Sequence, residues 1–168
     1  VYEMMLDHMD LALVGDIPLL GMRGSRIEGV NYVCKRLFDI TVSSLLLLIL
    51  IPTVFLFTAL AIRLTSRGPI FYSQERLGYR RQTFRFWKFR SMRHEAQVKT
   101  QFAQADDPRI TRLGHWIRRT RLDEIPQLFN VLMGHMSLIG PRPEQEGFVQ
   151  QFAEQMPSYP YRHLVRPG

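Results

Sequence analysis

The chain has 168 residues, 46% of them hydrophobic, a net charge of +7 and one cysteine, Cys34. That length accommodates one domain with extra segments at its ends. A lone cysteine excludes a disulfide framework and suits a reducing, cytosol-facing environment. Residues 1–22 are acidic and apolar, without the basic start of a secretory signal. Val1 and the closing Gly168 of "VRPG" read as the ends of a piece of a longer chain.

Residues 1–30 read as a linker or the tail of an upstream region, because "VGDIPLLGMRG" has Gly and Pro but no sustained period. A helix is expected from about Glu28 into "FDITVSSLLLLILIPTVFLFTALAIRL", in which no charge occurs for 23 residues between Asp39 and Arg63. Lys35 and Asp39 stand four apart and can pair on one face of that helix, at the level of the lipid headgroups. The uncharged run would reach about 35 Å as a helix, enough for a hydrocarbon core of about 30 Å. Pro52 interrupts it, removing a donor and crowding the preceding turn. Both flanks are basic, Arg23, Arg26, Lys35 and Arg36 before and Arg63, Arg67, Arg76, Arg80 and Arg81 after. Neither end is therefore suited to leave the cytosolic side. The reading is a membrane anchor over 31–66 that enters, breaks near Pro52 and returns, with a kinked span as the alternative; Thr53 is the hydroxyl at the break, and a cytosolic domain follows over 67–168.

Gly68-Pro69 ends the helix. Residues 70–74 and 83–89 are expected to pair as a hairpin around Gly78. Its aromatics Phe71, Tyr72, Phe84, Phe86, Trp87 and Phe89 suit either an interfacial layer or a small sheet with one buried face. Helices are expected over 91–104, 110–119, from about Pro126, and over 144–156, with "ADDPR" a loop and "LIGPRP" a rigid turn. The fold class expected is α+β and mostly helical: a monotopic membrane protein with a re-entrant helix-break-helix anchor, interfacial amphipathic helices and a short hairpin.

The charge is concentrated. Residues 76–121 hold eleven arginines, two lysines and three acids. Arginine keeps its charge and its fork matches phosphate oxygens, so the block suits phosphate handling, with attraction to anionic lipid as the alternative. Asp123 and Glu124 stand just before a helix, where a helix start and Arg118, Arg119 and Arg121 favour their ionised forms. Such a pair either caps the helix or supplies one carboxylate to attack phosphorus and another to hold a divalent metal. Arg142, between the prolines of "GPRP", suits a phosphate clamp or a solvated turn. Lys88 in "FWKFR" suits a point charge in a site or a snorkelling interfacial lysine. The five histidines lack metal-ligand spacing, and no P-loop, GxGxxG, GxSxG or CxxC pattern occurs.

The order "KRLFD", an apolar helix with a central proline, "GPIFYSQERLG", "FRFWKFRSM", "DDPRITRLGHWIRRTRLDEIPQLFNVLMGHMSLIGPRP" and "VRPG" resembles the bacterial monotopic phosphoglycosyl transferases from about Lys35 to Gly168. The resemblance implies transfer of a sugar-1-phosphate from a UDP-sugar to polyprenyl (undecaprenyl) phosphate. That is the first membrane step of surface polysaccharide or glycan assembly, at the cytosolic face of the inner membrane. It implies Asp123 as the nucleophile that carries the phosphosugar, Glu124 as a partner for Mg²⁺, and Lys88, Arg118 and Arg142 as substrate-binding residues. Membrane lipid is a partner, nucleic acid is not, and a homodimer is compatible with it. Ile51 stands where some members have Ser, members continue beyond such an "RPG", and residues 1–30 resemble the linker of larger members. The reading outside this resemblance is a non-enzymatic basic scaffold on anionic lipid; nucleic-acid binding lacks any recognition motif.

Overall fold

The computed structural model describes residues 9–14, 17–22, 29–93, 107–156 and 158–168. The chain divides into two compact units, Val1–Lys35 and Arg36–Gly168. In the first, β1 (Met9–Val14) and β2 (Ile17–Met22) pair antiparallel, Met9 opposite Met22 and Val14 opposite Ile17. A hairpin therefore occupies part of the stretch read as a linker.

Helix α1 (Val30–Leu50) is followed by a π-helical turn (Ile51–Phe55) and α2 (Leu56–Thr65). Together they form the one helix among the described residues long and apolar enough to cross a membrane. The expected break at Pro52 is thus a widened turn through which the chain keeps winding, with Leu50 and Leu56 both in right-handed helical geometry. The hydroxyl of Thr53 donates to the carbonyl of Ile49 at 2.8 Å, next to the carbonyl that Pro52 cannot serve. Leu48, Ile49, Leu56, Phe57 and Leu60 are exposed, a continuous apolar surface of the kind that marks a lipid or partner contact.

Both arms of this helix fasten to the rest of the second unit. On the α1 arm, the Arg36 guanidinium donates to the carbonyls of Val131 at 2.6 Å and Leu132 at 2.7 Å. Asp39 is buried and accepts the N–H of Leu138 at 3.2 Å. On the α2 arm, Ile62 packs with Phe89 and Ile117. Beyond it, buried Arg90 donates to the carbonyls of Ser66 and Arg67 and to the Ser66 hydroxyl. At the turn between the arms, the ring of Phe55 lies 4.8 Å from that of Phe89 and 6.1 Å from that of Phe129.

Strands β3 (Phe71–Leu77) and β4 (Thr83–Phe89) form the expected hairpin, in register Phe71 with Phe89, Tyr72 with Lys88 and Arg76 with Phe84. Its turn takes left-handed backbone at Arg80 (φ 53°) and Arg81 (φ 61°) rather than at Gly78. Phe84, Phe86 and Phe89 are buried, so much of the aromatic cluster is sheet core rather than an interfacial layer. Alternation along β4 sends Phe84, Phe86 and Lys88 to one face and Trp87 and Phe89 to the other.

Helix α3 (Arg112–Arg119) starts on Thr111, whose hydroxyl accepts the Gly114 N–H at 2.9 Å. It lies so close to the chain at Ser91 that a Cβ on Gly114 would sit 2.0 Å from the Ser91 carbonyl oxygen. Of the helix expected over 91–104, residues 91–93 are not helical, Met92 bridging to Ile110; the remainder lies outside the described residues. A 3₁₀ turn (Leu122–Glu124) leads into α4 (Gln127–Met133), which ends at Gly134 (φ 86°). Helix α5 (Glu146–Gln155) and a 3₁₀ segment (Tyr159–Leu164) complete the unit. Phe84, Phe86, Val131 and Met136 form one core cluster and Ile62, Phe89 and Ile117 another.

Candidate active site

The two carboxylates sit where β4, the 3₁₀ turn and α4 meet. Arg121, at φ 59°, is left-handed immediately before the turn, a conformation that costs a non-glycine residue energy. The bend buries Asp123, 6% exposed, and leaves Glu124 partly exposed. From the core-facing side of β4, Lys88 Nζ reaches Glu124 Oε1 at 2.9 Å and Asp123 Oδ2 at 3.6 Å. Glu124 Oε1 also meets Arg142 Nη2 at 3.4 Å and Arg121 Nη1 at 4.0 Å. Oδ1 of Asp123 is buried without a hydrogen-bond partner.

Four of the five residues singled out from the sequence, Asp123, Glu124, Lys88 and Arg142, are thus in one cluster. Arg118 stands a step back. Its Nε donates to the Ser91 hydroxyl at 2.8 Å, and it acts on Asp123 through charge. The Lys88 ammonium is ion-paired to both acids.

The two acids differ in proton affinity. Burial pushes the Asp123 carboxyl above its ordinary range; Lys88 and Arg118 oppose this and Glu124 reinforces it. Burial also acts to raise Glu124, but the charge and hydrogen bond of Lys88, with Arg142 and Arg121, outweigh it and hold that carboxyl below its usual value. The neighbouring cations thus prevail at Glu124, while at Asp123 burial prevails and the shift is upward. Desolvation, invisible in a sequence, outweighs the neighbouring cations.

Arg142 is held by residues the sequence did not single out. Arg162 Nη2 donates to its carbonyl at 2.5 Å. Arg76 Nη1 donates to the carbonyl of Pro143 and pairs with Glu144 at 3.3 Å. The final "RPG" lies against "LIGPRP": the Ser137 N–H donates to the Pro167 carbonyl at 2.7 Å and the Gly168 N–H to that of Pro141 at 3.1 Å. A Cβ on Gly140 would lie 2.3 Å from the Arg166 carbonyl oxygen, so only glycine permits this approach. Among nineteen arginines no sequence pattern separates Arg76 and Arg162 from the rest; the glycines before and after prolines were the available signal.

A carboxylate pair ringed by fixed cations suits chemistry on a phosphorylated substrate. The family called bacterial sugar transferase matches residues 30–168. A UDP-N-acetylgalactosamine-undecaprenyl-phosphate N-acetylgalactosaminephosphotransferase of Aeromonas hydrophila is 50% identical over 135 residues, 80% of this chain and 32% of that protein. A UDP-glucose:undecaprenyl-phosphate glucose-1-phosphate transferase of Escherichia coli K12 is 39% identical over 170 residues, 100% of this chain and 36% of its own length. An exopolysaccharide production protein PSS of Rhizobium leguminosarum bv. phaseoli is 45% identical over 144 residues, 83% of this chain and 72% of the relative. The chain thus spans about a third of the first two relatives. With the motifs in order and the match running from the apolar helix to the last residue, the chain belongs to the bacterial sugar transferase family.

Proposed function

We propose that this chain carries the catalytic machinery for moving a sugar-1-phosphate from a UDP-sugar to a polyprenyl phosphate at the cytosolic face of the inner membrane. The observation that carries the reading is buried Asp123, with Lys88 Nζ 3.6 Å from its Oδ2 and Glu124 beside it. A carboxylate oxygen of Asp123 attacks the sugar-bearing phosphorus. The bond from that phosphorus to the bridging oxygen breaks, and UMP departs with the electron pair. The resulting acyl phosphate is attacked by a phosphate oxygen of the polyprenyl phosphate, which restores the carboxylate and yields polyprenyl-diphosphate-sugar. Lys88 and Arg142, held at the acids, and Arg118 just behind them spread the charge on the transferring phosphoryl oxygens.

The donor set fits Mg²⁺, which takes one or two carboxylates and completes its shell from substrate phosphates and water. Among the described residues no group of three or more His, Cys, Asp or Glu surrounds a common point, and two adjacent carboxylates beside a diphosphate need none. Glu124, the acid held more firmly ionised, is the ligand in this reading. The ion, when bound, neutralises the diphosphate and the departing UMP.

The reading includes a re-entrant anchor. Arg36 and Ile62 are 26 positions apart, about 39 Å along a straight helix. Both are fastened to one unit of which only residues 67–168 lie beyond the helix. A span would part these ends across the bilayer; a helix that turns at Pro52 keeps both on one side. An apolar groove of about 1000 Å³, its lining including Phe55, Phe71, Trp87, Phe129, Leu132 and Met133, offers room for hydrocarbon. The relatives' names and the buried Asp123 beside Glu124 favour this reading over a passive lipid scaffold.

The test is intact-mass analysis of the full-length protein in lipid nanodiscs with UDP-glucose or UDP-N-acetylgalactosamine and Mg²⁺. A transient hexose-phosphate or N-acetylhexosamine-phosphate adduct on the wild type, absent from Asp123→Asn, is expected, together with UMP release on adding undecaprenyl phosphate. UMP release by Asp123→Asn at near wild-type rate would falsify the nucleophile assignment.

A further inference from the structure

Buried polar atoms without partners are rare, and each calls for a physical reason. Two occur four positions apart: Oδ1 of Asp123, an acceptor, and Nε2 of Gln127, a donor. From Leu122 to Met133 the chain winds right-handed, as a 3₁₀ turn, the turn residues Ile125 (φ −53°, ψ −40°) and Pro126 (φ −60°, ψ −16°), and then α4. Positions three and four apart on such a run share a face.

That face is fixed by its other members. Asn130 accepts the Trp87 N–H at 3.3 Å and donates to the Arg85 carbonyl at 2.7 Å, and Val131 packs on Phe84 and Phe86. Both therefore look onto β4. Gln127, three and four positions before them, looks the same way. So does Asp123, whose Oδ2 lies 3.6 Å from Lys88 of the same strand. Gln127 stands between the nucleophile and Asn130 on one stripe, and its donor and the free acceptor are of opposite sense. A glutamine side chain is long enough to bridge one helical turn, so a rotation about its own torsions joins them.

We propose that Gln127 is the positioning residue of the nucleophile: its side-chain N–H donates to Oδ1 of Asp123 when the donor substrate binds, so that Oδ2, beside Lys88, is the oxygen presented to phosphorus. A carboxylate free to rotate offers either oxygen at any angle. Holding one oxygen fixes the plane of the other, which is the orientation an in-line attack requires.

The inference rests on the reading of Asp123 as nucleophile, and the experiment separates the two. Wild type, Gln127→Met and Gln127→Asn are compared in nanodiscs with UDP-glucose and UDP-N-acetylgalactosamine. Methionine keeps the length and removes the donor; asparagine keeps the amide but is one methylene too short. Both are expected to form the phosphosugar adduct about 10- to 100-fold more slowly, the value of a hydrogen bond to a charged group. Donor KM and thermal midpoint should stay near wild type. Isotope-edited infrared spectra with ¹³C-labelled aspartate, assigned by subtraction of Asp123→Asn, should show the donor-bound carboxylate band of wild type shifted in both variants. A purely structural role would lower the thermal midpoint and leave the band in place. Adduct formation at wild-type rate in either variant, or an unmoved band, overturns the role of Gln127. Absence of any adduct in wild type overturns the nucleophile reading itself.

Discussion

Lys88 is the residue on which the charge balance of the site turns. It is the only cation within 4 Å of both carboxylates among the described residues. Replacing it with methionine leaves a similar aliphatic stem but two adjacent acids with no shared counter-charge. Loss of a fixed charge at a developing phosphoryl anion costs about 10²–10³ in kcat. Lys88→Met should therefore lower steady-state UMP release by that factor, and Lys88→Arg should restore little, because a planar fork cannot take the place of a compact ammonium at 2.9 Å. Gly140 makes the complementary case, a residue with no chemistry. Its Cβ has no room against the Arg166 carbonyl, so Gly140→Ala must push the final "RPG" away from the Arg142 segment. A loss of about 1–3 kcal/mol in stability is expected by chemical denaturation, the range for overpacking a close contact. Lower turnover should accompany it as Arg142 moves off Glu124.

At the scale of elements, the long helix is the part most legible in sequence and least specified by it. The 23-residue uncharged run, Pro52 and the basic flanks announce an apolar helix with a fault in it. The form of the fault, a π-helical turn with Thr53 covering Ile49, depends on which backbone groups find partners. The proposed same-side arrangement makes a direct prediction. With native Cys34, which is exposed, and an engineered Thr65→Cys, a membrane-impermeant maleimide should label both positions in sealed inside-out vesicles and neither in right-side-out ones. Labelling of the two from opposite faces would remove the re-entrant reading. Arg36→Ala tests the attachment of the first arm. It leaves the carbonyls of Val131 and Leu132 without their donor at the end of α4, so a loss of about 1–3 kcal/mol is expected on denaturation, the cost of a partly buried acceptor left unpaired.

For the molecule as a whole, acid sensitivity follows from Asp107. The Arg109 side chain and backbone N–H hold its carboxyl down to about 2, from 3.8. A depressed folded-state value means stability that is present above the unfolded pKa and lost as pH falls toward the folded one. Stability should therefore decline between about pH 4 and pH 2, measured by urea denaturation followed by circular dichroism. Asp107→Asn should flatten that part of the profile.

What could be read from the chain alone was whatever is local or tied to a motif. The β3–β4 hairpin, the helices at 112–119, 127–133 and 146–155, and the Asp123–Glu124 pair among cations all follow from spacing, turn residues and charge. The β1–β2 hairpin was missed because its apolar residues carry no clear alternation. The burial of Asp39 was missed because an acid beside an apolar run reads as its solvated end. Only the tertiary structure decided which of nineteen arginines hold Arg142, that desolvation outweighs cations at Asp123, and that the closing "RPG" braces "GPRP". Pairing between residues distant in the chain and exclusion of water are properties of the packed molecule. A sequence states which groups are available and how local segments turn; it does not state which groups lose their water.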